Sequence, residues 1–266
     1  MFLRFSGKSL KIVILLRNSV PKNKLQTGLI KQLLRISFFP LCFLALMWLV
    51  FGIENLYHLN LSQYGTSPRT VRGLSGILFS PFLHSDLGHI SGNSVPLLIL
   101  GMLTFYFYKP IAWGSFLWIY FMAGVWLWVG GRNNPEGTMH HIGASGLIYG
   151  AATFLFFSGV FRKHRPLMVI SALVAFLYGG MMYGIFPLQP DVSWEAHLFG
   201  AISGILVAYN YRKEGPQKPQ IIWEDDGVDF EAEEKAQEEA YRKFLEENNI
   251  NVHYHFKPKD EETEGT

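Results

Sequence analysis

The 266-residue chain holds a single cysteine, Cys42, so an intramolecular disulfide is excluded and the redox compartment is left open. Charge is scarce too. Asp, Glu, Lys and Arg make up 17% of the residues, against roughly a quarter in soluble domains, while 49% are hydrophobic and 15% aromatic. Residues 1–35 contain eight Lys/Arg and no acid, whereas 213–266 contain sixteen Asp/Glu and seven Lys/Arg. The near-neutral net charge of +2 therefore hides a basic head and an acidic tail, and no nucleic-acid partner is expected. The longest apolar run of the head, "IVILL", has five residues. That is short of the ~7 or more a cleaved signal peptide needs, so the head reads as a basic membrane-surface segment.

What is present is a series of long apolar stretches. A helix needs about 20 mainly apolar residues to cross the hydrocarbon of a bilayer. Six candidates occur at 36–54, 87–108, 111–129, 144–161, 167–187 and 193–212, and the middle four hold no Asp, Glu, Lys or Arg. The sixth is the least apolar, with Glu195 and His197 near its start. The expected fold is an all-α membrane protein, a bundle of six helices over 36–212, between a head (1–35) and a partly helical tail (213–266). The basic head, Lys109, "FRKHR" and "YRKE" fall on one side, against Arg69, Arg72 and Arg132 on the other. The positive-inside rule places both termini in the cytoplasm, and the expected location is the cell's inner membrane, as a multi-pass protein.

That topology brings three polar features to one outer level. Spans two, four and six all run inward, and they begin with "HISGN" (His89 to Asn93), "GASG" (Gly143 to Gly146) and "AH" (Ala196, His197). A serine hydroxyl is a weak nucleophile until a base takes its proton, and histidine is the usual base. Ser145 and His197 can meet only if their helices approach closely. Gly146, Gly150 and Ala151 on one, with Ala196, Gly200 and Gly204 at four-residue intervals on the other, provide that spacing. Tyr149 lies one turn from Ser145, where its ring can stack on His197. His89 and Asn93 share a face and can donate hydrogen bonds to an oxyanion; Gly143 and Gly146 let backbone N–H groups near Ser145 contribute. The nearest acids, Asp86, Glu136, Asp191 and Glu195, lie in or beside the outer loops, so a Ser145–His197 dyad without a third member is expected, and no HExxH-type pair points to a metal.

Each feature has a plainer reading. "GASG" alone suits helix packing, His89 with Asn93 could cap helices, and His140 and His141 read as loop residues facing water. Together, however, "HSDLGHISGN", "GASG" and "AHLFGAISG", in this order and spacing, resemble the rhomboid family of intramembrane serine proteases. The resemblance covers roughly 36–212 and implies the rhomboid fold, no cofactor, and cleavage of single-span membrane proteins near the extracytoplasmic face. It implies Ser145 as nucleophile, His197 as base, His89 and Asn93 at the oxyanion site, and Tyr149 as the ring beneath the histidine. "PDVSWEAH" would match the family's mobile cap before the sixth span. The first outer loop, about 57–85, lacks the Trp-Arg pair that some members carry. The implied partners are transmembrane substrates and the bilayer, with any tail partner unknown. Two rivals stand beside this reading: a rhomboid-like protein that binds transmembrane helices without cutting, and a small channel or transporter. In the tail, Ala232, Ala236, Ala240 and Phe244 at four-residue spacing predict a cytosolic helix.

Overall fold

The computed structural model describes residues 4–5, 8–9, 22–189, 192–218 and 230–248. Most of the basic head, Pro190 and Asp191 of the expected cap, and residues 219–229 and 249–266 of the tail lie outside the described residues. The chain divides into two units, Ser19–Pro219 and, separately, Met1–Asn18 with Gln220–Thr266. In the second unit, Arg4–Phe5 pairs antiparallel with Lys8–Ser9, and a helix spans Phe230–Glu247, over the alanine-spaced stretch.

The larger unit is helical. In chain order it comprises α1 (Lys22–Leu56), the single turn α2 (Gly76–Phe79), α3 (Leu87–Phe107), α4 (Ala112–Gly130), α5 (Ser145–Arg162), α6 (Arg165–Tyr178) and α7 (Trp194–Asn210). Five stretches are long and apolar enough to cross a membrane: Gly28–Leu56, Leu87–Phe107, Ala112–Gly130, Ser145–Arg162 and Arg165–Ile185. The last consists of α6 and the 3₁₀ turns that continue it, Gly179–Ile185. The sixth helix, α7, has 17 residues, or about 26 Å of rise, and carries two ionisable side chains in its first turn. This is a multi-pass integral membrane protein.

One boundary departs from the sequence reading. The apolar stretch taken to begin at 36 is the later part of a helix that already runs from Lys22. Lys31, Gln32 and Arg35 interrupt the apolar run without interrupting the helix, because long unbranched polar side chains cost little helix propensity. Pro40, inside α1, seats its ring against Gly101 of α3, where a Cβ would come within 2.9 Å of it. Trp48 Nε1 donates to Ser94 Oγ (3.0 Å), a second tie between α1 and α3.

Helix α5 is the hub. It packs most closely against α7 and also contacts α3, α4 and α6. Half of its span is buried, against 11% for the span formed by α6. The segment joining α1 to α3 is a folded platform of 3₁₀ turns and α2 rather than open loop. It is bound to the rest by paired backbone bonds between Thr66 and His141 (2.9 Å each way), by Arg69 Nη1 to the Gly131 carbonyl (2.7 Å), and by Trp128 Nε1 to the Thr70 carbonyl (2.8 Å). A tryptophan and an arginine thus do anchor this segment, from separate places in the chain.

Candidate active site

The site begins with a backbone requirement. Gly143 has φ +106°, a conformation side chains rarely adopt, and a Cβ there would lie 2.5 Å from His89 Nε2 and 3.4 Å from Asn93 Nδ2. Its N–H is tied to the Ser80 carbonyl at 2.8 Å, so the platform fixes the approach to α5. Ser145 is then the first residue of α5. The opening N–H groups of a helix have no intrahelical acceptor and carry the positive end of its dipole, so this turn faces the site with free donors.

Ser145 Oγ and His197 Nε2 are 2.9 Å apart. The other ring nitrogen, Nδ1, is 2.8 Å from the Gly184 carbonyl. A carbonyl can only accept, so Nδ1 carries the proton and Nε2 presents its lone pair to the serine hydroxyl. The tautomer that a base requires is therefore set by the main chain, and no carboxylate among the described residues bonds the ring. Tyr149 stacks on the imidazole with centroids 4.2 Å apart and planes 7° from parallel, and its hydroxyl donates to the Met181 carbonyl at 2.6 Å. Both carbonyls belong to the 3₁₀ turns after α6. Gly184 had no place in the sequence reading, because a carbonyl partner leaves no side-chain signature.

The meeting of Ser145 and His197 depends on the glycine ladder. A Cβ at Gly200 would stand 2.0 Å from the Gly146 carbonyl oxygen, one at Gly204 2.0 Å from that of Gly150, and one at Gly146 3.0 Å from that of Ala196. Side chains at these positions would part α5 from α7 and separate the two groups.

His89 and Asn93 come from α3, whose start is capped by Asp86 accepting from the His89 N–H (2.9 Å). Asn93 is buried, and its Nδ2 has no partner among the described residues, a donor held ready beside Gly143. His89 differs. Ser85 donates to Asp86 Oδ2 (2.7 Å), so at 3.2 Å it accepts from His89 Nδ1–H, which leaves Nε2 as an acceptor. His89 becomes a donor to the site only when Ser85 turns its proton onto Nδ1. His84 packs edge-on against His89 (4.9 Å); burial and the neighbouring His89 hold its pKa down at about 4, so it is neutral. Ser145, His197, Tyr149, Met181, His89, Asn93, Ser85 and Asp86 border one cleft of about 720 Å³, within the range of about 300–1,000 Å³ usual for ligand sites.

The rim corrects one expectation. His141 is buried, not water-facing: Nε2–H donates to the Arg132 carbonyl (2.9 Å) and Nδ1 accepts from Ser193 Oγ (2.6 Å), while burial keeps its pKa below the ordinary value. Beside it, Arg132 Nε pairs with Glu195 Oε1 at 3.2 Å, and Nη2 donates to the Val192 carbonyl at 2.8 Å. Glu195, only 3% exposed, was legible as an isolated acid heading an apolar helix, which demands a cation; Arg132 is the one Lys/Arg of the facing loop.

Comparison with known proteins gives a family and distant company. The family profile described as "Rhomboid domain" matches residues 71–214, which hold every group of the site. Uncharacterized proteins of Mycobacterium tuberculosis and Mycobacterium bovis are each 38% identical over 174 residues, covering 64% of this chain and 72% of theirs. One of Mycobacterium leprae is 37% identical over the same length, covering 68% of its own.

Proposed function

Because this chain belongs to the rhomboid family, we propose that it is an intramembrane serine endopeptidase that cuts transmembrane segments near the extracytoplasmic face with a Ser145–His197 dyad. The observation that carries the reading is the 2.9 Å contact of Ser145 Oγ with a His197 whose Nδ1–H is already engaged by Gly184. In the proposed cycle His197 Nε2 takes the serine proton as Oγ attacks a peptide carbonyl of an unwound substrate helix. Asn93 Nδ2 and the first N–H groups of α5 receive the oxyanion. The imidazolium returns its proton to the departing amine, and water in the cleft, deprotonated by the same histidine, releases the acyl group.

The test uses purified protein in liposomes with tagged single-span substrates. Wild type should cleave, and Ser145→Ala and His197→Ala should not; cleavage that survives Ser145→Ala overturns the proposal. Labelling of Ser145 by a fluorophosphonate separates an enzyme lacking its substrate from a protein that binds helices without cutting, which should not label. Asn93→Ala should lower kcat about 10²–10³-fold, the usual loss for one oxyanion donor.

A further inference from the structure

The geometry points to a second site, at the opposite end of the bundle from the cleft, which we propose binds the phosphate headgroup of an anionic phospholipid. Where α3 runs out and α4 begins, both lie beside the early part of α1. There Lys31, Arg35 and Lys109 border one cleft of about 700 Å³. Lys31 and Arg35 are four residues apart on one face of α1, and Lys109 stands in the turn between α3 and α4. Three like charges converging on one hollow repel one another unless an anion joins them. The described residues offer none: no carboxylate among them borders the cleft, and none of the three cations has a hydrogen bond or an ion pair with them.

The floor identifies the kind of anion. Phe39, Phe105 and Trp113 form a mutual ring cluster beneath the cations, with centroids 4.4–5.3 Å apart. The neighbouring α1 surface is openly apolar, with Phe38 70% and Leu34 63% exposed. A soluble phosphate has no use for such a surface, whereas the acyl chains of a phospholipid lie along it while the headgroup phosphate meets the cations. Tryptophan at this level is also the residue that membrane–water boundaries favour. On the charge-based orientation the site faces the cytoplasmic leaflet, where basic pockets between helices hold anionic headgroups. The inference does not depend on the protease reading.

The test is native mass spectrometry of the full-length protein in a non-ionic detergent. Phosphatidylglycerol, phosphatidylcholine of matched chains and inorganic phosphate are titrated separately. One phosphatidylglycerol should be retained at a concentration at least tenfold below that needed for phosphatidylcholine. Each of Lys31→Gln, Arg35→Gln and Lys109→Gln should weaken it about fivefold, and the triple variant about 100-fold. Equal retention of the two lipids, or a triple variant that keeps the preference, overturns the proposal. Displacement by inorganic phosphate at equal concentration also overturns it, making this a soluble-anion site. If the triple variant melts below wild type, the three single variants decide, and single variants with unchanged affinity overturn it.

Discussion

At His197, a neutral carbonyl does the orienting that a carboxylate does in a Ser-His-Asp triad. Gly184 fixes the tautomer and ring angle but would supply no full negative charge to the imidazolium of the proposed cycle. The same glycine leaves no room for a side chain, since a Cβ would lie 2.0 Å from the Tyr149 hydroxyl and 3.1 Å from His197 Nδ1. Gly184→Ala should therefore slow fluorophosphonate labelling of Ser145 at least tenfold, with a stability loss of about 1–3 kcal/mol. Tyr149→Phe keeps the stack and loses only the Met181 bond, so labelling should persist at a cost of about 1 kcal/mol. His84 sets a pH dependence. Its folded pKa of about 4 lies below the ordinary 6.5, so the unfolded chain binds its proton first as acid is added. Stability should be full above pH 6.5 and fall by about 3 kcal/mol as the pH drops to 4, read as melting temperature in detergent. His84→Phe should flatten that slope.

Among the elements, the contact of α5 with α7 is the one the site cannot spare. Gly200→Ala drives a methyl into the Gly146 carbonyl; it should cost about 1–3 kcal/mol and abolish labelling, because the helices cannot part without separating Oγ from Nε2. Arg132→Ala strands Glu195 as a buried charge and should cost about 3–5 kcal/mol, whereas the double change with Glu195→Gln recovers much of it. These elements also show what a sequence carries. The ends of α3, α4 and α5 fall within a residue of the apolar limits, since a membrane helix advertises itself by length and hydropathy. Ser145, His197 and the glycine spacing are legible because each rests on side-chain identity. Gly184, Met181 and the folded platform are not, because they act through main-chain groups. His141, in the loop before α5, was expected to face water, since sequence shows no burial.

For the molecule as a whole, loop charge predicts an orientation with both termini in the cytoplasm. With Cys42 replaced by Ser, Lys163→Cys between α5 and α6 should react with a membrane-impermeant maleimide only in inside-out vesicles. Asn134→Cys between α4 and α5 should react only from the opposite side. The reverse pattern would invert the bundle and move the cleft to the cytoplasmic face.

Helix α6 is the least embedded of the membrane-crossing elements, and it leans chiefly on α5. Yet the turns at its end hold both His197 and Tyr149. Displacing the turns after α6 would carry the Gly184 carbonyl away, and the imidazole would then be free to rotate or change tautomer. The seating of those turns and the reactivity of the serine are thus coupled, as in an interlock: the proposed nucleophile would be armed only while the Gly184 carbonyl holds the imidazole.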